Sequence, residues 1–340
     1  MTNSRLPTAL ELLGWSDFFE DQIEPDEADL APRRVASVHR ARIEAISVAG
    51  PVELELPANA NTAEFAVGDW LLADPHSNMF VRRLERKTIL QRRPETGRGL
   101  QLVAANVDTL LIVTSCNADF NSERLERYLI MANQAGSNPV IVLTKADIAE
   151  DVGLFQSQAE ALQRDLPVIA LNGRSSDANT LLSPWCGAGQ TVALVGSSGV
   201  GKSTLVNTLT GAAADAKQKT GTIREYDAQG RHTTTARSLH ATPGGGWVID
   251  TPGIRSLYVS DVTDGIDTLF ADIVELAPLC RFRDCTHAHE PDCAVQAAVK
   301  SGAIAADRVE RWQSLVSENR ARTPTISGAR GNKIVRKKKY

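Results

Sequence analysis

The sequence predicts a multidomain α/β protein, and three observations along its 340 residues carry that prediction. Short strand-like runs separated by turn residues fill roughly residues 34–93 and indicate a small β-domain. Apolar strands then alternate with helical segments, which is typical of a parallel sheet covered by helices. Beyond about residue 260 the strand pattern stops, helices are expected at Ile266–Leu276, Ala294–Lys300 and Ala305–Ser317, and a Cys/His cluster lies in the same region. At roughly 100–200 residues per domain, the chain has room for two or three domains.

Residues 1–33 form an acidic N-terminal extension with a short apolar pattern of helical spacing, at Leu10, Leu12, Leu13, Trp15, Phe18 and Phe19. Against Arg5 and Arg33 it carries eight acids: Glu11, Asp17, Glu20, Asp21, Glu24, Asp26, Glu27 and Asp29. The sequence assigns this extension no function.

Residues 34–96 are predicted to form a small β-barrel or sandwich, because short strands alternate with turn signals such as Gly50-Pro51 and Asp74-Pro75. The predicted strands are Val35–Ile46, Val52–Leu56, Trp70–Ala73 and Met79–Leu84. One rim of this barrel is expected to be positive, since only Glu85 and Glu95 oppose seven bases: Arg82, Arg83, Arg86, Lys87, Arg92, Arg93 and Arg98.

Residues 97–259 are predicted to form the parallel sheet with its helices. The strands are expected at Leu110–Thr114, Val140–Thr144, Val168–Leu171, Val192–Val195 and Val248–Asp250. Helices are expected between them at Glu123–Gln134, Phe155–Arg164 and Lys202–Thr210.

The most specific motif is a phosphate loop, in which a glycine, four residues and Gly-Lys-Ser stand between a strand and a helix. Its glycines let backbone N–H groups converge on phosphate oxygens at a helix N-terminus. Lys202 is expected to reach the β and γ phosphates, and the Ser203 hydroxyl to ligate Mg²⁺. The nucleotide-binding residues predicted here are Gly196, Ser197, Ser198, Gly199, Val200, Gly201, Lys202, Ser203 and Thr204.

Two further motifs narrow the nucleotide to GTP. Asp250 ends a strand, where it can hold Mg²⁺ through water while the Gly253 N–H faces the γ-phosphate. Asp147 follows another strand, and its carboxylate can accept hydrogen bonds from guanine N1 and N2; as an alternative, it caps the next helix. The guanine-reading segment is Thr144, Lys145, Ala146 and Asp147, with the Lys145 stem over the base.

The motif order is circularly permuted, because the guanine-reading segment precedes the phosphate loop. The loop after Asp250 therefore leads straight into the Cys/His region, so that loss of the γ-phosphate can reposition that region.

Residues 220–236 have the composition of a mobile loop. Thr234 is expected to complete the Mg²⁺ shell, with Thr233 and Thr235 as alternatives. Ile254 stands where Ras-like enzymes have a glutamine that orients the attacking water. We hypothesise that His232 or a partner supplies that function and that unaided turnover is slow.

Three cysteines and a histidine lie within fourteen residues, at Cys280, Cys285, His287 and Cys293. Such a set suits tetrahedral Zn²⁺ and leaves no open position, which indicates a structural site. His289 is a rival to His287, and a Cys280–Cys285 disulfide is a competing interpretation. Cys116 and Cys186 are expected to be packing residues.

The net charge of -4 is an average over an acidic N-terminal extension and basic segments elsewhere in the chain. Residues 320–340 have little apolar content and are predicted to be a basic tail that is mobile or ordered by a partner. Its last twelve residues carry six bases, Arg330, Lys333, Arg336, Lys337, Lys338 and Lys339. No membrane span or secretory signal is predicted, so the cytoplasm is the expected compartment.

Together these motifs resemble the small-ribosomal-subunit-dependent GTPase A proteins, circularly permuted GTPases of bacterial ribosome assembly. The resemblance spans roughly Arg34 to Trp312. It rests on Val67-Gly-Asp-Trp70, Thr144–Asp147, Gly196–Thr204, Gly230-Arg-His-Thr-Thr-Thr235, Asp250-Thr-Pro-Gly-Ile254, Cys280–His287 and Glu290-Pro-Asp-Cys293.

The resemblance implies an OB-fold domain at 34–96, a permuted GTPase domain at 97–259 and a zinc-containing helical domain at 260–319. It also implies binding to the small ribosomal subunit and its rRNA, GTP hydrolysis that the subunit stimulates, and release of assembly factors. Carried over by position, the zinc ligands are Cys280, Cys285, His287 and Cys293. Thr144 departs from the usual asparagine, and we expect it not to tether the phosphate loop, so that nucleotide affinity is modest.

The leading hypothesis is therefore a monomeric GTPase switch that docks on the immature subunit through the barrel rim and the tail. The alternative from another class is an RNA-binding assembly scaffold whose nucleotide site only stabilises structure. A third option is a GTPase of RNA modification or metal delivery.

Overall fold

The computed structural model describes residues 6–40, 42–92, 100–211, 237–251 and 259–323, together with the backbone at 326–327 and 333–334. The chain divides into two compact units, Met1–Leu257 and Tyr258–Tyr340. The first unit contains the N-terminal extension, the barrel and the α/β sheet, and the second contains the Cys/His region.

The N-terminal extension forms two short helices, α1 (Ala9–Leu12) and α2 (Asp17–Glu20). Thr8 and Glu11 form a capping box that starts α1. Between the two helices, the Trp15 ring meets the Trp70 ring edge-on at a centroid distance of 4.8 Å. The acidic extension is thus anchored to the barrel through aromatic contacts.

A ring of five antiparallel and bridged strands follows: β1 (Ala31–Val38), β2 (Ile43–Ser47), β3 (Gly50–Leu54), β4 (Trp70–Ala73) and β5 (Phe80–Arg83). β1 pairs with β2 and β4, β2 pairs with β3, and β4 pairs with β5. Backbone hydrogen bonds of Glu55 with Asn78 and Phe80, 3.1 and 2.8 Å long, connect the β3 end of the ring to the β5 end. This geometry is compatible with a five-stranded barrel of the OB type, which stays a prediction.

The predicted single strand Val35–Ile46 is wrong. The His39 N–H donates to the Arg42 carbonyl, and β2 runs antiparallel to β1, so the run forms two paired strands. Both strands are rich in β-branched and apolar residues, so their composition concealed the turn between them.

The α/β sheet is built from β8 (Thr109–Ser115), β9 (Asn138–Thr144), β10 (Val168–Ala170), β11 (Thr191–Val195), β12 (Ser238–Ala241) and β13 (Trp247–Asp250). Its strand order is β10-β9-β8-β11-β13-β12, and all neighbours are parallel except β12 with β13. A separate antiparallel pair, β6 (Ile89–Arg92) and β7 (Gln101–Ala105), precedes it along the chain. The predicted parallel sheet is confirmed, with β12 as a strand that the pattern did not reveal.

The described helices of this sheet are α3 (Ser122–Ala135), α4 (Val152–Glu160), α5 (Asp177–Leu182) and α6 (Lys202–Leu209). Fully buried aliphatic side chains from the sheet and α6 form one core cluster, which includes Leu111, Val140, Val142, Val192, Leu194, Leu205 and Val248. Burial of both sheet faces explains the continuous apolar runs of these strands.

The buried Arg34 links three parts of the first unit. It lies on β1 with 1% of its surface exposed, and it donates to the Leu13 carbonyl of the extension and to the Thr191 hydroxyl of β11. Its guanidinium also lies 5.8 Å from the ring centroid of Trp70 and 5.9 Å from that of Trp247. Burial lowers the pKa of Arg34 to about 10, with the charge of Asp108 opposing that shift.

Replacing Arg34 with alanine is expected to destabilise the first unit by about 3 kcal/mol, because two hydrogen bonds to a charged group are lost and their acceptors stay buried. Denaturant unfolding followed by tryptophan fluorescence measures this change. Arg83→Ala is the control, since Arg83 is exposed and is expected to change stability by less than about 0.5 kcal/mol. An equal, small effect of both substitutions would contradict the linking function.

The second unit packs α7 (Thr263–Leu269), α8 (Ala271–Val274) and α9 (Ala294–Lys300) with the long α10 (Ala306–Arg322). The predicted helix Ile266–Leu276 is interrupted at Phe270, over whose ring the Arg308 guanidinium lies at 4.8 Å. α10 continues to Arg322, past its predicted end at Ser317. Beyond it, β14 (Ile326–Ser327) pairs with β15 (Lys333–Ile334), and the rest of the basic tail lies outside the described residues.

Candidate functional site

The carboxyl ends of four parallel strands bring the predicted nucleotide motifs to one edge of the sheet. Thr144 at the end of β9 pairs with Ser115 at the end of β8. β11, which precedes the phosphate loop, lies between β8 and β13, and its Leu194 pairs with Asp250. Ligands of open α/β sheets bind at this edge, so residues far apart in sequence form one site.

The phosphate loop requires its glycines. Gly196 has a φ of 145°, and a Cβ there would lie 2.1 Å from the Val113 carbonyl oxygen. Gly201 has a φ of 100° and stands immediately before α6, which begins at Lys202. The first backbone N–H groups of α6 therefore face the loop, where they can bind phosphate.

Two cations lie at the loop. The Lys202 ammonium donates to the carbonyl oxygens of Gly196 and Ser197 and is thereby held across the loop. Arg124, in the first turn of α3, donates from Nη1 to the Ser197 hydroxyl at 2.6 Å. Arg124 is not among the residues predicted from the sequence. Its position in the first turn of the helix that follows β8 indicates that it lies at the same sheet edge as the phosphate loop.

Thr144 does tether the phosphate loop, and the contrary expectation is wrong. Its hydroxyl lies 2.6 Å from the Val200 carbonyl oxygen in the loop and 3.0 Å from the Thr114 carbonyl oxygen. The side chain is 2% exposed and lies beside Gly201 of the loop. Because β9 ends close to the phosphate loop, the short Thr144 hydroxyl reaches the loop at the position where many GTPases have an asparagine.

Thr144→Val is expected to weaken GDP binding by about tenfold, because the loop loses a buried hydrogen bond while the side-chain shape is nearly kept. Thr144→Ser, which keeps the hydroxyl, is expected to stay within about threefold of the parent protein. Equilibrium binding of a fluorescent GDP analogue checks both values. Wild-type affinity of the valine variant would show that the tether is dispensable.

Asp147 is exposed and does not cap the helix that follows it. It lies exposed in a 3-10 turn, Ala146–Ile148, whose preceding residue Lys145 has a left-handed φ of 58°. The cap of α4 is Asp151, whose carboxylate accepts from the Leu154 N–H. The alternative interpretation of Asp147 as that cap is therefore excluded.

The magnesium motif is described only in part. Asp250 is the last residue of β13, and the neighbouring Thr251 hydroxyl donates to the Leu194 carbonyl, which holds the strand end against β11. Ser203 is the second residue of α6. His232, Thr233, Thr234, Thr235, Gly253 and Ile254 lie outside the described residues, and their roles stay predictions.

In the second unit, the ligand atoms of Cys280, Cys285, His287 and Cys293 all lie within 4.8 Å of one another. The His287 Nδ1 lies 3.5 Å from the sulfurs of Cys280 and Cys293, which are 3.8 Å apart. A tetrahedral site with bonds of about 2.0–2.3 Å has edges of roughly 3.4–3.8 Å, so the atoms of Cys280, His287 and Cys293 lie at the separations of three ligands of one metal ion, with Cys285 close enough to be the fourth. The cysteines are free thiols, which excludes the competing disulfide.

The loop around His287 is built to point this ring at the sulfurs. His287 is buried, has a left-handed φ of 61°, and lies with its ring 5.5 Å from that of Trp312. The Glu290 carboxylate accepts hydrogen bonds from the N–H groups of Thr286, Ala288 and His289. The pKa of Glu290 is lowered mainly by a hydrogen bond from the Thr286 hydroxyl and further by the N–H groups of Thr286 and His289. His289 stays outside the cluster.

Comparison with known proteins decides the family. The family model of the RsgA GTPase matches residues 83–260. A curated relative, the small ribosomal subunit biogenesis GTPase RsgA of Mesorhizobium japonicum, is 64% identical over 94% of this chain and 93% of its own length. The chain belongs to the RsgA GTPase family.

Other RsgA proteins and two solved structures agree with this placement. RsgA 2 of Vibrio parahaemolyticus is 43% identical over 94% of this chain and 88% of its own length. YjeQ from Thermotoga maritima superposes with a TM-score of 0.64 at 24% identity, covering 86% of this chain and 99% of YjeQ. YloQ, described as a circularly permuted GTPase, gives a TM-score of 0.61 at 21% identity and covers 89% and 99%. The permuted fold is thereby confirmed, and this RsgA family member is a GTP hydrolase that uses GTP with magnesium.

The predicted positive rim of this RsgA family member needs correction. Among its five described bases, Arg82 forms an ion pair with Glu27, Arg86 with Asp69 and Lys87 with Asp108. Asp69 is fully buried, so the charge of Arg86 is neutralised at the barrel itself. Arg93 and Arg98 lie outside the described residues. Much of the rim's charge is therefore compensated internally.

The acidic extension supplies part of that compensation. The Arg82 side chain lowers the pKa of Glu27 to about 2 through their hydrogen bonds. Arg82 also donates to the Gln22 carbonyl, and the Gln22 side chain accepts from the Glu85 N–H. The extension thus covers one side of the barrel in this RsgA family member. None of the helices in the described ranges has the length and apolar character needed to span a membrane.

Proposed function

We propose that this GTPase binds the small ribosomal subunit and its rRNA, assists late maturation of that subunit, and is stimulated by it to hydrolyse GTP. The observation that supports the proposal is that the turn Ala146–Ile148, predicted to read guanine, and the phosphate loop lie at one sheet edge, in a chain 64% identical to a named small ribosomal subunit biogenesis GTPase. Release of assembly factors accompanies hydrolysis in this proposal. The protein acts as a monomer in the cytoplasm, where subunits are assembled.

In this proposal, each predicted motif residue has a role in nucleotide binding or hydrolysis. Asp147 accepts from the guanine edge, and the backbone N–H groups between Gly196 and Thr204 bind the phosphates. Lys202 turns from the loop carbonyls to the β and γ phosphates, while Ser203 and Asp250 hold magnesium, which supplies charge neutralisation on the phosphates. Thr234, Gly253 and His232 complete the γ-phosphate side, with His232 orienting water.

The Cys/His cluster holds one structural zinc ion. Three thiolates and an imidazole are the ligands that Zn²⁺ prefers, and four protein ligands leave no position for substrate. The ligands Cys280, Cys285, His287 and Cys293 join the start of α9 to the loop before it. The metal therefore stabilises the fold of the second unit.

The proposed contact with rRNA uses the exposed Arg83 and the basic C-terminal segment. Arg83 projects from β5 with its charge unpaired among the described residues, and the C-terminal segment 329–340 adds six bases. Contacts of this kind weaken with salt because RNA counterions are released on binding.

Co-sedimentation with purified small subunits tests the switch. We expect the chain to pellet with subunits in the presence of a non-hydrolysable GTP analogue and to remain mostly in the supernatant with GDP. Equal binding in both states would favour the alternative of an assembly scaffold whose nucleotide site is structural. Absence of binding in either state would contradict the proposed partner.

A further inference from the structure

A cleft beside the barrel contains a half-buried cation, Arg237, that has no acidic partner among the residues the structure describes. The cleft has a volume of about 570 Å³ and lies between the end of β1, residues 62–67, β7 and Arg237. That volume is within the range of pockets that accept small ligands. Two arginines, Arg40 and Arg237, and the imidazole of His39 line it, and its described lining includes no aspartate or glutamate.

Arg237 is the group that the fold leaves unsatisfied. Its Nη1 donates to the Leu102 carbonyl at 3.1 Å, whereas its Nε is buried without a hydrogen-bond partner. Burial lowers the pKa of Arg237, and the nearby charge of Arg92 lowers it further. A half-buried guanidinium with a buried, unused Nε donor and a neighbouring positive charge is stabilised by an anion.

The neighbouring strand β1, whose Ser37 pairs with Ser238 next to Arg237, leads to a second cation, and other lining residues add an apolar surface. Arg40 is exposed at the turn between β1 and β2. His39 bonds the Ser37 hydroxyl and lies 3.7 Å from Glu44, so its ring is already engaged. Phe65 and Leu100 contribute apolar lining. Two arginines beside an apolar wall match a phosphate group that carries an attached ribose or base.

We propose that this cleft binds a phosphate group of an RNA strand, with Arg237 as the anchor and Arg40 as a second contact. The site is separate from the phosphate loop, which follows β11, whereas Arg237 directly precedes β12. The choice of RNA as the source of the phosphate rests on the proposed function. The expectation that the cleft binds a phosphate group rests only on the residues that line it. Arg237 lies two positions after the segment 230–235, which contains the predicted magnesium-binding threonine.

Titration of the full-length protein with inorganic phosphate tests the chemistry, with saturating GDP and magnesium to fill the phosphate loop. Arg237→Gln is expected to weaken phosphate binding by at least about tenfold, and Arg237→Lys by only about threefold. Arg40→Gln, which replaces an exposed group, is expected to weaken it by about threefold. Arg164→Gln, an exposed position before β10, is the charge-matched control and is expected to have no effect. Unchanged phosphate binding by Arg237→Gln would overturn the proposal.

Fluorescence anisotropy with a labelled eight-nucleotide single-stranded RNA tests the source. We expect Arg237→Gln to weaken RNA binding severalfold and to reduce its salt dependence by about one phosphate contact, while Arg164→Gln changes neither. Phosphate binding that depends on Arg237, combined with RNA binding that does not, would overturn RNA as the ligand. Failure of the parent protein to bind the small subunit would contradict the proposed function instead, whatever the phosphate titration shows. GDP affinity measured in each variant confirms that the fold is kept.

Discussion

Lys202→Ala is expected to reduce GTP hydrolysis by at least about 100-fold, with and without small subunits. The Lys202 ammonium is held at the phosphate loop by the carbonyl oxygens of Gly196 and Ser197. Its charge is therefore placed where the β and γ phosphates bind, and no neutral side chain can replace it. Phosphate release under saturating GTP measures the loss.

The matched control for this substitution is Lys300→Ala, since Lys300 is exposed at the end of α9 in the second unit. We expect its unaided hydrolysis to equal that of the parent protein. Melting temperatures separate a lost charge from a lost fold. Hydrolysis by Lys202→Ala within about threefold of the parent protein would contradict the assignment of the catalytic loop.

Cys293→Ser is expected to remove most of the bound metal and to unfold the loop that carries the other ligands. Cys293 is buried, contacts Cys280 and His287, and accepts from the Gln296 N–H at the start of α9. A structural site of this kind couples metal binding directly to folding. Metal analysis of the purified protein, with thermal unfolding of the second unit, measures both effects.

Cys186→Ser is the control for Cys293→Ser because Cys186 is also buried but belongs to the core of the first unit. Burial raises the pKa of the Cys186 thiol to about 12, as expected of a packing residue. The control is expected to keep one equivalent of metal. A Cys293→Ser protein that retains a full equivalent, or a parent protein whose fold survives chelation, would contradict a structural metal site.

The sequence predicts the nucleotide motifs well because each depends on local geometry. A strand, a glycine-rich turn and a helix are contiguous from Thr191 to Leu209, so spacing alone specifies the phosphate loop. Thr144 shows where such reasoning stops. Its tether joins residues 56 positions apart, and only the order of β9, β8 and β11 in the sheet shows that they touch.

The charge pattern failed for a related reason. A run of bases at 82–98 indicates a positive rim only if its partners are distant, but Glu27 pairs with Arg82 across 55 residues and Asp69 with Arg86 across 17. The buried position of Arg34 was equally hidden, since its partners come from the extension and from β11. The structural roles of Glu27 and Asp69 are therefore evident only in the folded chain, where each forms an ion pair with a distant arginine.

The central claim is that this permuted GTPase is switched by the small ribosomal subunit. Its most direct test is the rate of phosphate release by the purified chain with and without purified small subunits, using Lys202→Ala as the blank. We predict slow turnover alone and a stimulation of at least about tenfold by small subunits, with none by large subunits. Equal rates under all three conditions would contradict the claim.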